Sequence, residues 1–165
     1  MELNLCRDAE ASGSLEADST GRVWVLETLE TTRSLGQQLA LALPEKAILL
    51  LQGPLGAGKT SLVQGIAEAC GIDEPITSPT FALAQHYPKG QPPLVHLDLY
   101  RLEIPVSADE LFLQEEEEAR DLGALMAVEW PERLGIELKE AWRLELSHAG
   151  DGRRAQLTPP RNRST

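Results

Sequence analysis

The stretch KAILLLQGPLGAGKTSLVQGI, residues 46–66, limits the fold more than any other part of the chain. It opens with a short, unbroken apolar run ending in glycine. That is the pattern of a strand covered on both faces, as in a parallel sheet. Its second half predicts a helix from near Lys59 to Cys70, with Leu62, Ile66 and Ala69 facing inward and Gly71 closing it. Between the two, Gly53, Gly56, Gly58, Lys59 and Thr60 fit the pattern G-x-x-x-x-G-K-[ST]. The pattern carries weight because a buried strand precedes it and an amphipathic helix follows it.

Each position has a physical role in holding phosphate. The glycines let the backbone turn tightly and bring its N–H groups close to phosphate oxygens. The helix start adds unpaired N–H groups and the positive end of a dipole. Lys59 places a cation on the β- and γ-phosphates, and Thr60 offers a hydroxyl to a magnesium ion. The candidate nucleotide contacts in this segment are Gly53, Leu55, Gly56, Ala57, Gly58, Lys59, Thr60 and Ser61.

The remaining pattern predicts an α/β fold, a P-loop NTPase-like three-layer arrangement with a mainly parallel central sheet and an antiparallel hairpin. RVWVLET, residues 22–28, alternates as a strand does. Thr31 or Thr32 can cap a helix whose stripe is Leu35, Leu39 and Leu43 and which Pro44 stops. FALAQHY and LVHLDLY, residues 81–87 and 94–100, flank a turn-rich segment and make the hairpin. ALMAVEWP at 124–131 is another buried strand, and WRLELSH at 142–148 alternates again. Residues 1–20 read as a disordered leader, 21–149 as the P-loop ATPase domain, and 150–165 as a C-terminal strand or tail, partly disordered.

With 15 basic and 26 acidic residues the formal charge is −11, which argues against a nucleic-acid surface covering most of the protein. Cys6 and Cys70 lack metal-type spacing and read as free thiols. No apolar run reaches membrane-spanning length, and the N-terminus lacks signal-peptide character, so the expected location is the cytoplasm. His86, His96 and His148 have no ligand spacing and are assigned structural or surface roles. QEEEEAR, residues 114–120, reads as the solvated face of a helix, and Trp130 as a packing residue.

A phosphate loop needs a carboxylate at the end of a neighbouring strand to serve the metal. Asp98 follows LVHL and Glu129 follows LMAV. Glu129 ends the more continuous apolar run, where ligands bind in open α/β sheets. Either acid can hold Mg²⁺ or orient the attacking water, and the sequence leaves the two roles open. The TSPTF segment, residues 77–81, supplies either a γ-phosphate sensor or a simple Ser-Pro turn. No N-K-x-D element selects guanine, so ATP is preferred.

GPLGAGKTSLVQGI, SPTFALAQHY, VHLDLYRL and VEWPERL, in this order and spacing, resemble the TsaE (YjeE) family from about Thr31 to Arg133. The resemblance implies a small bacterial P-loop ATPase, using ATP and Mg²⁺, that is required for the threonylcarbamoyladenosine modification of tRNA. It implies partners TsaB and TsaD, with TsaD performing carbamoyl transfer and tRNA reached through that complex. It assigns phosphate and Mg²⁺ to Lys59 and Thr60, a second metal-site role to Glu129, and a Walker B-like position to Asp98. Ser78, Pro79 and Thr80 match a loop near the γ-phosphate, Trp130 matches a tryptophan beside the nucleotide, and Glu30 to Thr32 would approach the base. Pro54 departs from the family, which commonly has an acid there; proline fixes φ and removes a donor. Two rival readings are a stand-alone phosphotransferase acting on a small hydroxyl substrate and a nucleotide-gated binding module with little hydrolysis.

Overall fold

A computed structural model describes residues 15–18, 21–77 and 83–161. In chain order the strands are β1 (Leu15–Asp18), β2 (Gly21–Leu26), β3 (Ile48–Gln52), β4 (Ala84–Tyr87), β5 (Leu94–Asp98), β6 (Leu125–Glu129), β7 (Trp142–Ala149) and β8 (Gly152–Thr158). The helices are α1 (Leu29–Ala42), α2 (Lys59–Ala69) and α3 (Pro105–Leu122), and a single 3-10 turn covers Pro131–Arg133. They build one eight-stranded sheet in the order β1-β2-β8-β7-β3-β6-β5-β4.

The sheet centre is parallel. β3 pairs in parallel with both β6 and β7, and β5 in parallel with β6. β3 and β6 are covered on both faces, which is why they read as continuous apolar runs. The expected hairpin is present as the antiparallel pair β4–β5. On the other flank, β7, β8, β2 and β1 continue antiparallel, so the strand expected after residue 150 completes the sheet rather than trailing from it. Leu15–Asp18, inside the stretch read as a leader, forms the edge strand β1.

Alternation along the strands divides the core into two layers. Leu49 and Leu51 of β3 join Leu125 and Ala127 of β6 under α1 and α2, with Leu35, Leu39, Leu62, Val63 and Ile66. Leu50, Val95, Leu97, Met126 and Val128 face the other way, against Ala108 and Phe112 of α3. Three layers result.

α1 begins one turn earlier than the sequence predicts. Thr28, not Thr31 or Thr32, is the N-cap: its Oγ accepts from the Thr31 N–H at 3.1 Å, and the Thr28 N–H donates to Thr31 Oγ at 2.8 Å. A reciprocal pair of this kind satisfies two donors that a helix start otherwise leaves unpaired. In α2 the inward face is Leu62, Val63, Ile66 and Ala67, while Ala69 is only partly buried.

α1 and α2 approach closely because glycines face each other's backbone. A Cβ on Gly36 would lie 2.1 Å from the Leu62 carbonyl oxygen, and one on Gly65 would lie 1.9 Å from that of Arg33. Along α3, the QEEEEAR segment is not wholly solvated. Glu115 turns inward and is buried against His86 of β4, with Glu118 at 3.4 Å from the other ring nitrogen.

Candidate functional site

The site forms where β3 ends and α2 begins, flanked by the ends of β5 and β6. Left-handed backbone at Gly56 (φ 78°) and Gly58 (φ 105°) makes the loop possible, since side-chain-bearing residues rarely adopt it. A Cβ at Gly56 would meet nothing within 4 Å, so that position opens directly onto space. Gly58 is the N-cap of α2, and its carbonyl accepts the Leu62 N–H at 3.0 Å. Beneath it lies Thr32, fully buried, whose methyl would be 3.3 Å from a Cβ on Gly58 and whose hydroxyl donates to the Thr28 carbonyl.

Lys59 is only 5% exposed. Its Nζ donates to the Gly53 carbonyl at 2.6 Å and sits 3.8 Å from the centroid of the Trp130 ring. Burial pulls the ammonium below its ordinary value, and the negative charges of Glu129, Glu132 and Asp98 partly offset this. A desolvated cation facing an open cradle is arranged to receive an anion.

Asp98 and Glu129 are register partners on adjacent parallel strands, and both are buried. β5 is covered along its whole length, Asp98 at its end included. The Tyr100 N–H donates to Asp98 Oδ1 at 2.9 Å. Trp130 follows Glu129 in left-handed conformation (φ 59°), which costs a residue of this type on the order of 1–3 kcal/mol. That turn lays its ring beside Lys59 and 4.8 Å from the ring of Tyr100.

A cavity of about 310 Å³ joins these groups. Among the expected residues it is lined by Leu55, Gly56, Gly58, Lys59, Thr60, Asp98, Glu129 and Trp130. Gly53, Ala57, Ser61 and Thr32 are not part of this lining, and Ser78, Pro79 and Thr80 lie outside the described residues. A second cavity, about 430 Å³, lies at the opposite end of the parallel strands beside Ile48, Ala124 and Trp142. Ligands of open α/β sheets bind at the carboxyl ends of the strands, which selects the first.

The glycine cradle and the buried Lys59 suit a nucleotide's phosphates. Thr60, Asp98 and Glu129 supply a hydroxyl and two carboxylates, the hard oxygen donors that Mg²⁺ prefers.

The family model described as "Threonylcarbamoyl adenosine biosynthesis protein TsaE" matches residues 26–156. The chain belongs to the TsaE family. A Synechocystis protein named tRNA threonylcarbamoyladenosine biosynthesis protein TsaE is 49% identical over 110 residues, covering 66% of this chain and 69% of its own. A Nostoc protein of the same name is 42% identical over 132 residues, covering 79% and 81%. Among solved structures, Bacillus subtilis YdiB aligns with a TM-score of 0.65 and 27% identity, covering 90% of this chain and 88% of its own.

Five residues of this TsaE-family site escaped the sequence reading, Leu83 on the cavity wall among them. Tyr100 and Arg101 line the cavity directly after Asp98, and their position in VHLDLYRL was the available signal. Arg153 reaches from β8 to donate from Nη2 to the Gly56 carbonyl at 2.9 Å. Nothing local in the sequence marks that contact. His96, assigned a structural or surface role, is completely buried and bonds to Glu129 Oε2 at 2.6 Å. Among the described residues no helix is long and apolar enough to cross a membrane.

Proposed function

We propose that this chain is a Mg²⁺-dependent ATPase serving the threonylcarbamoyladenosine modification of tRNA together with TsaB- and TsaD-type partners. The observation that carries this reading is the placement of one buried lysine and two buried carboxylates around a single cavity at the strand ends, in a chain of the TsaE family. The names of its relatives supply the tRNA modification.

The residues divide the work as follows. Loop N–H groups and the start of α2 bind the phosphates, and Lys59 leaves the Gly53 carbonyl to neutralise the β- and γ-phosphate oxygens. Thr60 and Asp98 would hold Mg²⁺, which when bound would supply a Lewis acid for the phosphate charge. Glu129 orients the attacking water. Trp130 and Tyr100 form an aromatic wall that excludes bulk solvent and strengthens each of these interactions. Catalysis then comes from positioning and charge stabilisation rather than covalent chemistry.

The experiment is depletion of the chain in its host with analysis of tRNA nucleosides. Modified adenosine should fall, and a wild-type copy should restore it while Lys59→Ala and Glu129→Ala copies should not. Unchanged modification on depletion rejects the role. ATP hydrolysis by the full chain, measured with and without both partners, tests the ATPase half separately.

A further inference from the structure

His96 sits two register pairs below the site acids. β5 and β6 run parallel, with Asp98 opposite Glu129 and His96 opposite Ala127. Side chains two residues apart share a face, so His96, Asp98, Ala127 and Glu129 all point toward the α2 side of the sheet. Ala127 is small enough to let the imidazole lean diagonally across the strand pair and reach Glu129.

Both partners are buried, His96 at 0% exposure and Glu129, on the cavity wall, at 3%. Glu129 as a carboxylate only accepts, so the hydrogen lies on His96 Nε2. The other ring nitrogen, Nδ1, is buried with no hydrogen-bond partner among the described residues. A hydrogen there would be a buried donor with nothing to accept it, which selects the tautomer protonated on Nε2. An apolar side chain of similar length would fill the same space without an orphaned nitrogen. The polar ring therefore needs a reason, and its single bond supplies one.

We infer that His96 is a positioning residue that fixes the Glu129 carboxylate by donating from Nε2 to Oε2, presenting Oε1 to the cavity. This rests on the proposed role of Glu129 in orienting the attacking water. The backbone at Glu129 is held as well, since its carbonyl accepts the Leu99 N–H at 3.1 Å. With main chain and Oε2 both fixed, the carboxylate keeps one orientation before nucleotide arrives and spends no reorganisation during the reaction. A histidine that orients a ligating or catalytic carboxylate acts through that group and touches no substrate.

Two variants of the full chain separate orientation from packing. His96→Met removes the donor while keeping an apolar side chain of comparable length; His96→Gln keeps an N–H that can reach Oε2. The inference expects His96→Met to bind a fluorescent ATP analogue with Mg²⁺ as the wild type does, yet to hydrolyse ATP about 10- to 100-fold more slowly in single turnover, partners supplied. His96→Gln should recover most of that loss. Equal rates in the Met and Gln variants, or a defect confined to affinity, would overturn it.

A readout without nucleotide comes from ¹⁵N-resolved NMR of the histidine rings. It should show His96 protonated on Nε2 and slow to exchange, with that signal moving in Glu129→Gln. A hydrogen on Nδ1 refutes the contact. If the wild type never hydrolyses ATP under any condition, the ATPase reading fails by itself, while the NMR result still decides whether His96 holds Glu129.

Discussion

Burying an ammonium costs free energy unless something compensates, and Lys59 in the nucleotide-free protein leans on the Gly53 carbonyl and the Trp130 ring. Phosphate competes for the same cation, so nucleotide binding should draw Nζ off the indole. Trp130 fluorescence should then change saturably as ATP and Mg²⁺ are added, and the change should vanish in Trp130→Phe. Trp24 and Trp142, the other two tryptophans, lie in the core and should stay silent. A full signal in Trp130→Phe would count against the contact.

Cys70 behaves in the opposite sense at the same scale. Burial pushes its thiol above the ordinary value of 9.0, so the folded protein holds the proton more tightly than the unfolded chain. Its contribution to stability is intact below 9.0 and is lost as pH rises through the higher folded value. Stability should fall more steeply as pH rises above 9.0 in the wild type than in Cys70→Ala, as read by urea melts at a series of alkaline pH values. Native Cys70 should also resist alkylation at neutral pH.

At the level of elements, the packing of α1 on α2 is the most exacting contact. Gly36→Ala or Gly65→Ala drives a methyl into a carbonyl oxygen of the facing helix, so the helices must separate. Each should cost about 1–3 kcal/mol or more in a denaturant melt, as overpacked cores do. Thr28→Ala removes the α1 cap and should cost about 1 kcal/mol. The phosphate strand and helix were legible because a buried strand, a glycine turn and an amphipathic helix each leave a local mark. The start of α1 was not, because Thr28, Thr31 and Thr32 are chemically alike and only backbone geometry shows which one stands outside the helix. Glu115 was misread for a related reason. Its inward turn depends on His86, a partner on another element 29 residues away in sequence.

For the whole molecule, the parallel centre followed from apolar runs, whereas the antiparallel wing depends on pairings between distant segments that periodicity does not record. The candidate site divides in the same way. Lys59, Asp98 and Glu129 could be placed at a loop or strand end, but Arg153 and His96 take their roles from neighbours across the sheet. Ligand binding should register globally. With Mg²⁺ and ATP about a hundredfold above the dissociation constant, linkage adds about 2.7 kcal/mol, which for a chain of this size raises the melting temperature by about 5–10 °C. Lys59→Ala should show no such rise in scanning calorimetry.

The place of β8 between β2 and β7 sets an order of events during synthesis. β2 emerges early with only the edge strand β1 beside it; Arg22 pairs with Leu157 and Leu26 with Arg153, so this pair cannot join the rest of the sheet until those residues have left the ribosome. The same late strand delivers Arg153 to the loop carbonyl at Gly56. A nascent chain that already carries its whole phosphate motif therefore waits roughly a hundred residues for the strand that braces it, and a stall in that interval leaves the apolar face of β2 uncovered.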